Sequence, residues 1–246
     1  MSQKLISVIV PAYNEEAVLD IFHARISEVL STLPGYAWEI LFINDGSTDT
    51  TQLKIEALQR QDPRVGSLLL SRNFGKEIAM TAGLDHAKGD AVVIIDADLQ
   101  DPPELIHDFL REWNKGYDVV YGRRTHRDGE SWAKKATAHY FYQVIGKLSK
   151  VTIPANTGDF RLMSRRSVNA LLQLREQHRF MKGLFAWVGY PTTAVDYRRP
   201  PRAAGVTKFN YWKLWNFALE GITSFTILPL KLATYLGIFV AMLAFL

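Results

Sequence analysis

Cysteine is absent from this chain of 246 residues. The absence excludes disulfide bonds and zinc sites built on thiolates, although it says little about the cellular compartment. A secretory signal peptide is missing as well, because the first apolar run, Leu5–Val10, is too short for one and is followed directly by Pro11. We therefore expect the N-terminal part of the chain to lie in the cytosol.

Two nucleotide-binding patterns are also missing. None of the 16 glycines is separated from another by a single residue, which excludes the dinucleotide pattern G-x-G-x-x-G. The pair Gly75-Lys76 is followed by Glu77 and has no glycine five residues earlier, so it is not a P-loop. A nucleotide-binding domain in this chain would therefore depend on acidic side chains and a metal ion.

The overall composition is that of a folded protein. Hydrophobic residues make up 48% and charged residues 22% of the chain, which gives no sign of disorder. The formal net charge of +4 is compatible with a phosphate-rich ligand or an anionic membrane surface. The length suffices for one large α/β domain with an appendage, or for two small domains.

An acidic stretch follows one of the predicted strands. The apolar run Ala91–Ile95 is typical of a strand buried on both faces. Asp96, Asp98 and Asp101 follow it, and Pro102-Pro103 then ends regular structure, so we assign Asp101 to this turn. Carboxylates at positions i and i+2 project to the same side, where they repel each other unless a cation lies between them. Oxygen ligands of this kind suit Mg²⁺ or Mn²⁺, so the stretch predicts a metal that holds a phosphorylated ligand.

Short apolar runs alternate with helical periodicity along the first half of the chain. The predicted strands are Leu5–Val10, Trp38–Ile43, Val65–Leu70, Ala91–Ile95 and Asp118–Tyr121. The predicted helices begin at Glu15, after a cap at Ser47 or Thr48, at Gly75 and at Glu104. This alternation predicts an α/β fold with right-handed crossovers and a mostly parallel sheet.

The second half of the chain is more basic and ends apolar. Basic residues outnumber acids in segments 123–135 and 196–213, and the second contains two prolines and a glycine, which predicts a mobile loop. Residues 211–227 combine two tryptophans with a thin polar stripe, as in a helix that lies in a membrane interface. Leu232–Leu246 has no charged residue, and we expect it to start a transmembrane helix that continues beyond this chain.

Several motifs in a fixed order now resemble a known family. They are PAYNE (Pro11–Glu15), NDGS (Asn44–Ser47), RNFGKE (Arg72–Glu77) and DADLQDPPE (Asp96–Glu104). Together they resemble the family 2 glycosyltransferases of the GT-A fold. The later motifs NTGDFRLM, FMKGLFAWVGY and R-x-x-G-x-T-K are similar to those of the polyprenyl-phosphate glycosyltransferases. Within that group the chain most resembles the bacterial bactoprenol glucosyltransferases, which are related to the dolichol-phosphate mannose synthases.

The resemblance implies a Rossmann-like GT-A domain in two halves, followed by membrane elements. Residues 1–122 would bind the nucleotide sugar, and residues 123–210, with the basic loop, would bind the acceptor. An interfacial helix would span residues 211–228, and a transmembrane segment would span residues 229–246.

The resemblance also implies which residues act. The nucleotide site would consist of Pro11, Tyr13, Glu15, Asp45, Lys76, Asp96, Ala97 and Asp98. The ligands of Mg²⁺ or Mn²⁺ would be Asp96, Asp98 and Gln100. The catalytic residues would be Asp98 and Asp159, and the phosphates of donor and acceptor would contact Arg123, Lys135, Arg202 and Lys208. Several of these residues have plainer alternatives. Lys76 could be a capping or solvated residue, Asp45 a turn former, and Asp159 a structural partner of Arg161. Asp96 and Asp98 could form a solvated turn, and Arg202 and Lys208 could belong to a membrane-surface patch.

The implied reaction is sugar transfer to a lipid phosphate. Glucose would pass from UDP-glucose to undecaprenyl phosphate on the cytoplasmic face of the bacterial inner membrane, for cell-envelope glycan or lipopolysaccharide O-antigen modification. The alternatives are another sugar (mannose, GlcNAc or a modified arabinose) and a dolichol-type acceptor. A non-catalytic basic module for membranes or nucleic acid is the alternative of a different class, although the acidic cluster argues against nucleic acid. The sequence leaves open whether the protein forms a homo-oligomer.

Overall fold

The computed structural model describes residues 3–125, 157–176, 179–198 and 228–245. These residues divide into two compact units, of which the larger holds the sheet and the first five helices and the smaller holds the last two helices. The predictions for Lys135, Arg202, Lys208 and the interfacial helix (apart from its last residue) lie outside the described residues.

Up to Arg124, strands and helices alternate as the sequence predicts, and the larger unit contains further elements beyond that point. The elements are β1 (Lys4–Ala12), α1 (Leu19–Ser31), β2 (Tyr36–Asn44), α2 (Thr51–Gln61), β3 (Val65–Leu69), α3 (Lys76–His86), β4 (Ala91–Ile94), α4 (Leu105–Asn114), β5 (Val119–Arg124), β6 (Thr157–Ser164), α5 (Arg165–Leu172) and β7 (Thr192–Tyr197). In the smaller unit they are α6 (Met181–Trp187) and α7 (Leu228–Ala244).

The seven strands form one sheet in the order β3-β2-β1-β4-β6-β5-β7. The four strands β3, β2, β1 and β4 are mutually parallel, and β5 is parallel to β7. β6 runs antiparallel to both of its neighbours, β4 and β5. The sheet is therefore mostly parallel, as predicted, and β6 is a strand that the sequence patterns did not indicate.

The central strands are continuous apolar runs because both of their faces are covered. In β4 all four residues are buried, and in β1 the run from Ile6 to Val10 is fully buried. The stripe of α1 packs against the sheet, where the ring of Phe22 meets Phe42 edge-on with centroids 6.2 Å apart. This core fixes the strand ends on which the site is built.

The predicted starts of the first two helices are wrong. α1 begins at Leu19 rather than Glu15, because the two glutamates before it bind the start of α2 instead: the Glu15 amide donates to Oγ1 of Thr51 at 2.8 Å, and the Glu16 carboxylate accepts from the Thr50 amide at 2.9 Å. α2 begins at Thr51 with no side-chain cap.

Ser47 and Thr48 do not cap α2 because Asn14 engages both. Oγ of Ser47 accepts the Asn14 amide at 2.9 Å, and the side-chain oxygen of Asn14 accepts the Thr48 amide at 2.8 Å. The loops after β1 and β2 are thus joined to each other rather than to their following helices.

The first two residues of the predicted loop 196–213 belong to a strand instead, and residues 199–213 lie outside the described residues. Asp196 belongs to β7, which pairs in parallel with β5 so that Asp196 lies opposite Arg123. The two side chains form a bidentate ion pair, with Nε to Oδ1 at 2.6 Å and Nη2 to Oδ2 at 2.9 Å. Backbone pairing with β5 therefore extends the sheet to Tyr197.

Helix α7 is mostly apolar, and Lys231 is its one charged residue. Large side chains such as Leu230, Leu236 and Phe239 are more than half exposed along its length. It has 17 residues, and among the described residues no helix combines the length and the apolar character needed to cross a membrane.

Candidate active site

Three neighbouring strands end at one edge of the sheet. β1 pairs in parallel with β2 on one side and with β4 on the other. Their carboxyl ends therefore lie at the same edge, and the residues that follow them are Tyr13, Asp45 and Ile95-Asp96. This is the edge at which open α/β sheets bind their ligands.

The residues after β4 alternate between the surface and the interior. Those that are partly exposed are Asp96, Asp98 and Gln100, and those that are buried are Ala97, Leu99 and Asp101. A hydrogen bond from the Gln100 amide to Oδ1 of Asp98, at 3.1 Å, helps to shape this loop, in which Leu99 has a left-handed φ of 57°. The alternation brings the three predicted metal ligands to the accessible side.

The ammonium of Lys76 bridges two carboxylates. Its Nζ lies 2.6 Å from Oδ1 and 2.8 Å from Oδ2 of Asp96, and 2.6 Å from Oδ2 of Asp159. Lys76 is the first residue of α3, whereas Asp159 lies in β6. Because β6 is antiparallel to β4, with Arg161 opposite Ile94, continuing the register by two residues brings Asp159 opposite Asp96. The antiparallel strand therefore supplies the second acid.

The charges of this cluster stabilise one another. Burial disfavours the Lys76 ammonium, but the attraction of Asp159 and Asp96 outweighs it and raises the pKa of Lys76. Burial raises the pKa of Asp96, against the opposing effect of Lys76. Lys76 therefore stays charged at neutral pH, and its neighbours supply the compensating negative charge.

Asp159 is held in position through its backbone. The buried guanidinium of Arg161 donates to the carbonyl oxygens of Asp159 and Gly158, at 3.2 and 3.0 Å. Burial lowers the pKa of Arg161 to about 10, which leaves it a cation at neutral pH. Arg161 thus orients the strand that carries Asp159.

Asp45 is buried, and it anchors the loop that leads to Lys76. Its carboxylate oxygens accept the backbone amides of Phe74, at 2.8 Å, and Gly75, at 2.9 Å. Burial raises the pKa of Asp45, against the effect of these two hydrogen bonds. The predicted nucleotide contact of Asp45 stays a prediction, but its geometry adds a second role, which is to fix the residue that directly precedes Lys76.

Replacing Asp45 by asparagine tests this anchoring role. One acceptor oxygen becomes an amide group that cannot accept the N–H of Phe74 or Gly75, so we expect loop 72–75 to open more often. Amide hydrogen exchange across this loop should accelerate by about tenfold to a hundredfold, since a buried hydrogen bond to a charged group contributes about 1.5–3 kcal/mol. An Asp45 that only contacts nucleotide would change UDP affinity and leave the exchange rates of the free protein unchanged.

A second buried network ties the acidic loop to the far strands. The hydroxyl of Tyr197 donates to Oδ1 of Asp101, and Nε of Arg124 donates to the same hydroxyl at 3.2 Å. Nη2 of Arg124 also lies 3.6 Å from Oδ1 of Asp101. Asp101 is therefore more than part of the Pro-Pro turn: it joins the loop after β4 to the ends of β5 and β7. Nothing in the sequence pattern singled out Tyr197 or Arg124.

Two glycines make room for this network. A Cβ on Gly122 would lie 2.9 Å from the Tyr197 ring, and one on Gly158 would lie 2.7 Å from Nη2 of Arg124. A side chain at either position would therefore have to displace the Tyr197 ring or the Arg124 guanidinium from this network.

The remaining predicted residues lie as follows. Pro11 is still inside β1, opposite Ile43 of β2, and Tyr13 and Glu15 follow in the loop at the site edge. Arg123 lies near the end of β5, in the ion pair with Asp196. Among the described residues, no group of three or more His, Cys, Asp or Glu side chains is arranged to hold a metal ion by itself.

The fold is that of a GT-A glycosyltransferase. Glucosyl-3-phosphoglycerate synthase from Mycobacterium tuberculosis, in a crystal structure with Mn²⁺, UDP-glucose and phosphoglyceric acid, matches with a TM-score of 0.59 at 20% identity. The match covers 90% of this chain and 79% of that one. At this identity the similarity supports the fold only.

Sequence relatives and a family profile identify the family. The bactoprenol glucosyl transferase of Shigella phage SfV is 50% identical over 98% of this chain and 78% of its own length. An uncharacterized glycosyltransferase of Synechocystis is 54% identical over 97% of this chain and 75% of its own length. The profile "Glycosyl transferase family 2" matches residues 7–172. The chain belongs to glycosyl transferase family 2 and is a glycosyltransferase.

Proposed function

We propose that the protein transfers glucose from UDP-glucose to undecaprenyl phosphate. Relatives that are 50% identical over nearly the whole chain bear the name bactoprenol glucosyl transferase, which supports this donor and acceptor. The structural observation that carries the proposal is the cluster of Asp96, Asp159 and Lys76 at the sheet edge, with Asp98 and Gln100 on the same accessible loop. Acids and a cation at this edge suit a nucleoside diphosphate and its metal.

A divalent metal would be shared between the protein and the donor. Asp98 and Gln100 would hold it, and Asp96 would bind both metal and ribose. Two carboxylates and one carboxamide are too few for an all-protein cage, but they fit Mg²⁺ or Mn²⁺, which commonly combine one or two carboxylates with substrate phosphates. When bound, the metal would stabilise the charge that develops on the departing diphosphate.

The topology of the sheet supports an acceptor site beside the donor site. β5 and β7 run parallel to β4, so Arg124 and Tyr197 end at the same edge as Asp96, and β6 starts there at Thr157. The basic segments 126–156 and 199–208 are connected to the sheet at these points. We propose that Arg123, Lys135, Arg202 and Lys208 bind phosphate groups of donor and acceptor, on the strength of the sequence motif and this connectivity.

Asp159 is proposed to orient the acceptor rather than to remove a proton. A lipid monophosphate with a second pKa of about 6, by analogy with phosphorylated side chains, is largely dianionic at neutral pH and is itself the nucleophile. The ammonium of Lys76 lies 2.6 Å from Oδ2 of Asp159, so this carboxylate is already engaged by a cation. The larger task is to bring two anions together, which the cationic residues would do.

The acceptor lipid implies work at a membrane. The exposed apolar surface of α7 supports membrane attachment, and the net charge of +4 supports contact with an anionic leaflet. We propose the cytoplasmic face of the bacterial inner membrane as the location. The lipid-linked glucose would serve cell-envelope glycan or O-antigen modification.

A panel of nucleotide sugars tests the donor and the acceptor together. Purified protein with Mn²⁺ or Mg²⁺ and undecaprenyl phosphate in detergent should form labelled lipid from UDP-glucose and little from UDP-GlcNAc or GDP-mannose. Chelation by EDTA should stop the reaction, and added Mn²⁺ should restore it. Preferred use of another sugar would overturn the assignment of glucose, and preferred use of a dolichol-type lipid would overturn that of undecaprenyl phosphate. Product formed in excess EDTA would overturn the metal requirement.

A further inference from the structure

The ammonium of Lys76 joins Asp96 to Asp159. The proposed function, however, assigns Asp96 to a metal ion. Lys76 contacts both oxygens of Asp96 and one oxygen of Asp159, all within 2.8 Å. An ammonium has three N–H donors, so these three contacts account for all of its capacity. Lys76 and a divalent metal would therefore compete for the same carboxylate.

We propose that Lys76 covers Asp96 until the donor nucleotide arrives and thereby makes metal binding depend on the nucleotide. This inference rests on the proposed function, because it takes Asp96 as a metal ligand and a nucleoside diphosphate as the donor. The diphosphate brings negative charge that attracts both the metal and the displaced ammonium. Metal and nucleotide then bind cooperatively, whereas metal alone binds weakly.

The physical basis is repulsion between two cations at one site. A single and a double positive charge held close together in a partly buried site repel each other, so the two are not bound together unless anions compensate. Asp159 also gives the ammonium a second partner, to which it can remain bound when Asp96 turns to the metal. The lysine thus prevents the site from holding a metal without substrate.

The test is Mn²⁺ binding to the full chain with Lys76 replaced by methionine. Electron paramagnetic resonance measures free Mn²⁺ directly and does not depend on turnover. In the absence of nucleotide we expect Lys76→Met to bind Mn²⁺ about tenfold or more tightly than the wild type. Adding UDP should increase the Mn²⁺ affinity of both proteins. The increase should be about tenfold smaller in Lys76→Met, because the ammonium that competes with the metal is absent.

Lys54→Met is the matched control. Lys54 has the same exposed fraction of its side chain as Lys76, 35%, and pairs with a carboxylate, Asp20, between α1 and α2. The control makes the same charge change away from the site, and it should leave both Mn²⁺ affinity and its dependence on UDP as in the wild type.

A second variant guards against misfolding, since Lys76→Met leaves Asp96 and Asp159 facing each other. The pair Lys76→Met with Asp159→Asn removes one charge of each sign and should also bind Mn²⁺ more tightly than the wild type without nucleotide. Affinity and UDP dependence equal to those of Lys54→Met in both variants would overturn the proposal, as would an absence of Mn²⁺ binding in every variant. If the wild type failed to transfer glucose while Lys76→Met bound Mn²⁺ tightly, only the proposed substrates would be overturned.

Discussion

Replacing Asp98 by alanine is expected to slow sugar transfer by about a hundredfold to a thousandfold, the usual effect of removing one group that stabilises developing charge. Asp98 lies on the accessible side of the loop after β4, where its carboxylate would face the metal and the departing diphosphate. Asp98 is partly exposed, and its side chain accepts the Gln100 amide at 3.1 Å within the same loop, so we expect the fold to persist. Initial rates of lipid glucosylation, with circular dichroism of the same samples, would measure both outcomes.

Asp108→Ala provides the control for this loss of charge. Asp108 lies on α4 in an exposed ion pair with Arg111 at 2.7 Å, and such pairs contribute about 0–1 kcal/mol to stability. Its removal should leave the transfer rate within about twofold of the wild type. If Asp98→Ala and Asp108→Ala transferred sugar at the same rate, Asp98 would have no role in the reaction.

Replacing Gly46 by alanine is expected to lower the free energy of unfolding by about 2–5 kcal/mol, from backbone strain and overpacking together. Gly46 has a φ of 65°, where an L-residue is strained by about 1–2 kcal/mol. Its Cβ would also lie 2.3 Å from the carbonyl carbon of Arg72, and a backbone atom cannot turn aside as a side chain does. Urea unfolding followed by circular dichroism would give the difference.

Gly35→Ala separates the two causes. Gly35 has a similar φ, 82°, but a Cβ there meets nothing within 4 Å. Gly35→Ala should therefore lower the free energy of unfolding by about 1–2 kcal/mol, from backbone strain alone. Equal losses at the two positions would mean that the contact between the turn after β2 and the loop before α3 is unimportant.

The sequence predicted the central sheet well because its strands are buried on both faces. Runs such as Ala91–Ile94 have no polar residue to obscure the pattern, and their helices have clear stripes. β6 was missed because its sequence, TGDFRLMS, mixes charged with apolar residues and its partners lie far away in the chain. Strand pairing across that distance leaves no local signal.

The site was predictable as a set of residues but not as a set of contacts. The motifs contain Asp96, Lys76 and Asp159 separately. The antiparallel register of β6 brings Asp159 to Asp96. The bridge made by Lys76 and the hydrogen bond from Tyr197 to Asp101 both join residues that lie far apart in sequence. Chemical type can be recognised in a motif, whereas mutual position depends on the folded sheet.

The pairing of Arg123 with Thr157 in adjacent strands also has a consequence for the evolution of such enzymes. It holds residues 123 and 157 side by side in the sheet, so the chain leaves the sheet and returns to it at one place. The entropy of loop closure grows only slowly with length, by about 0.6 kcal/mol for each doubling. A change in the number of residues between Thr125 and Thr157 therefore adds little to the entropic cost of bringing these two strands together. The part of the chain proposed to meet the acceptor lipid is free to diversify while the donor half stays the same.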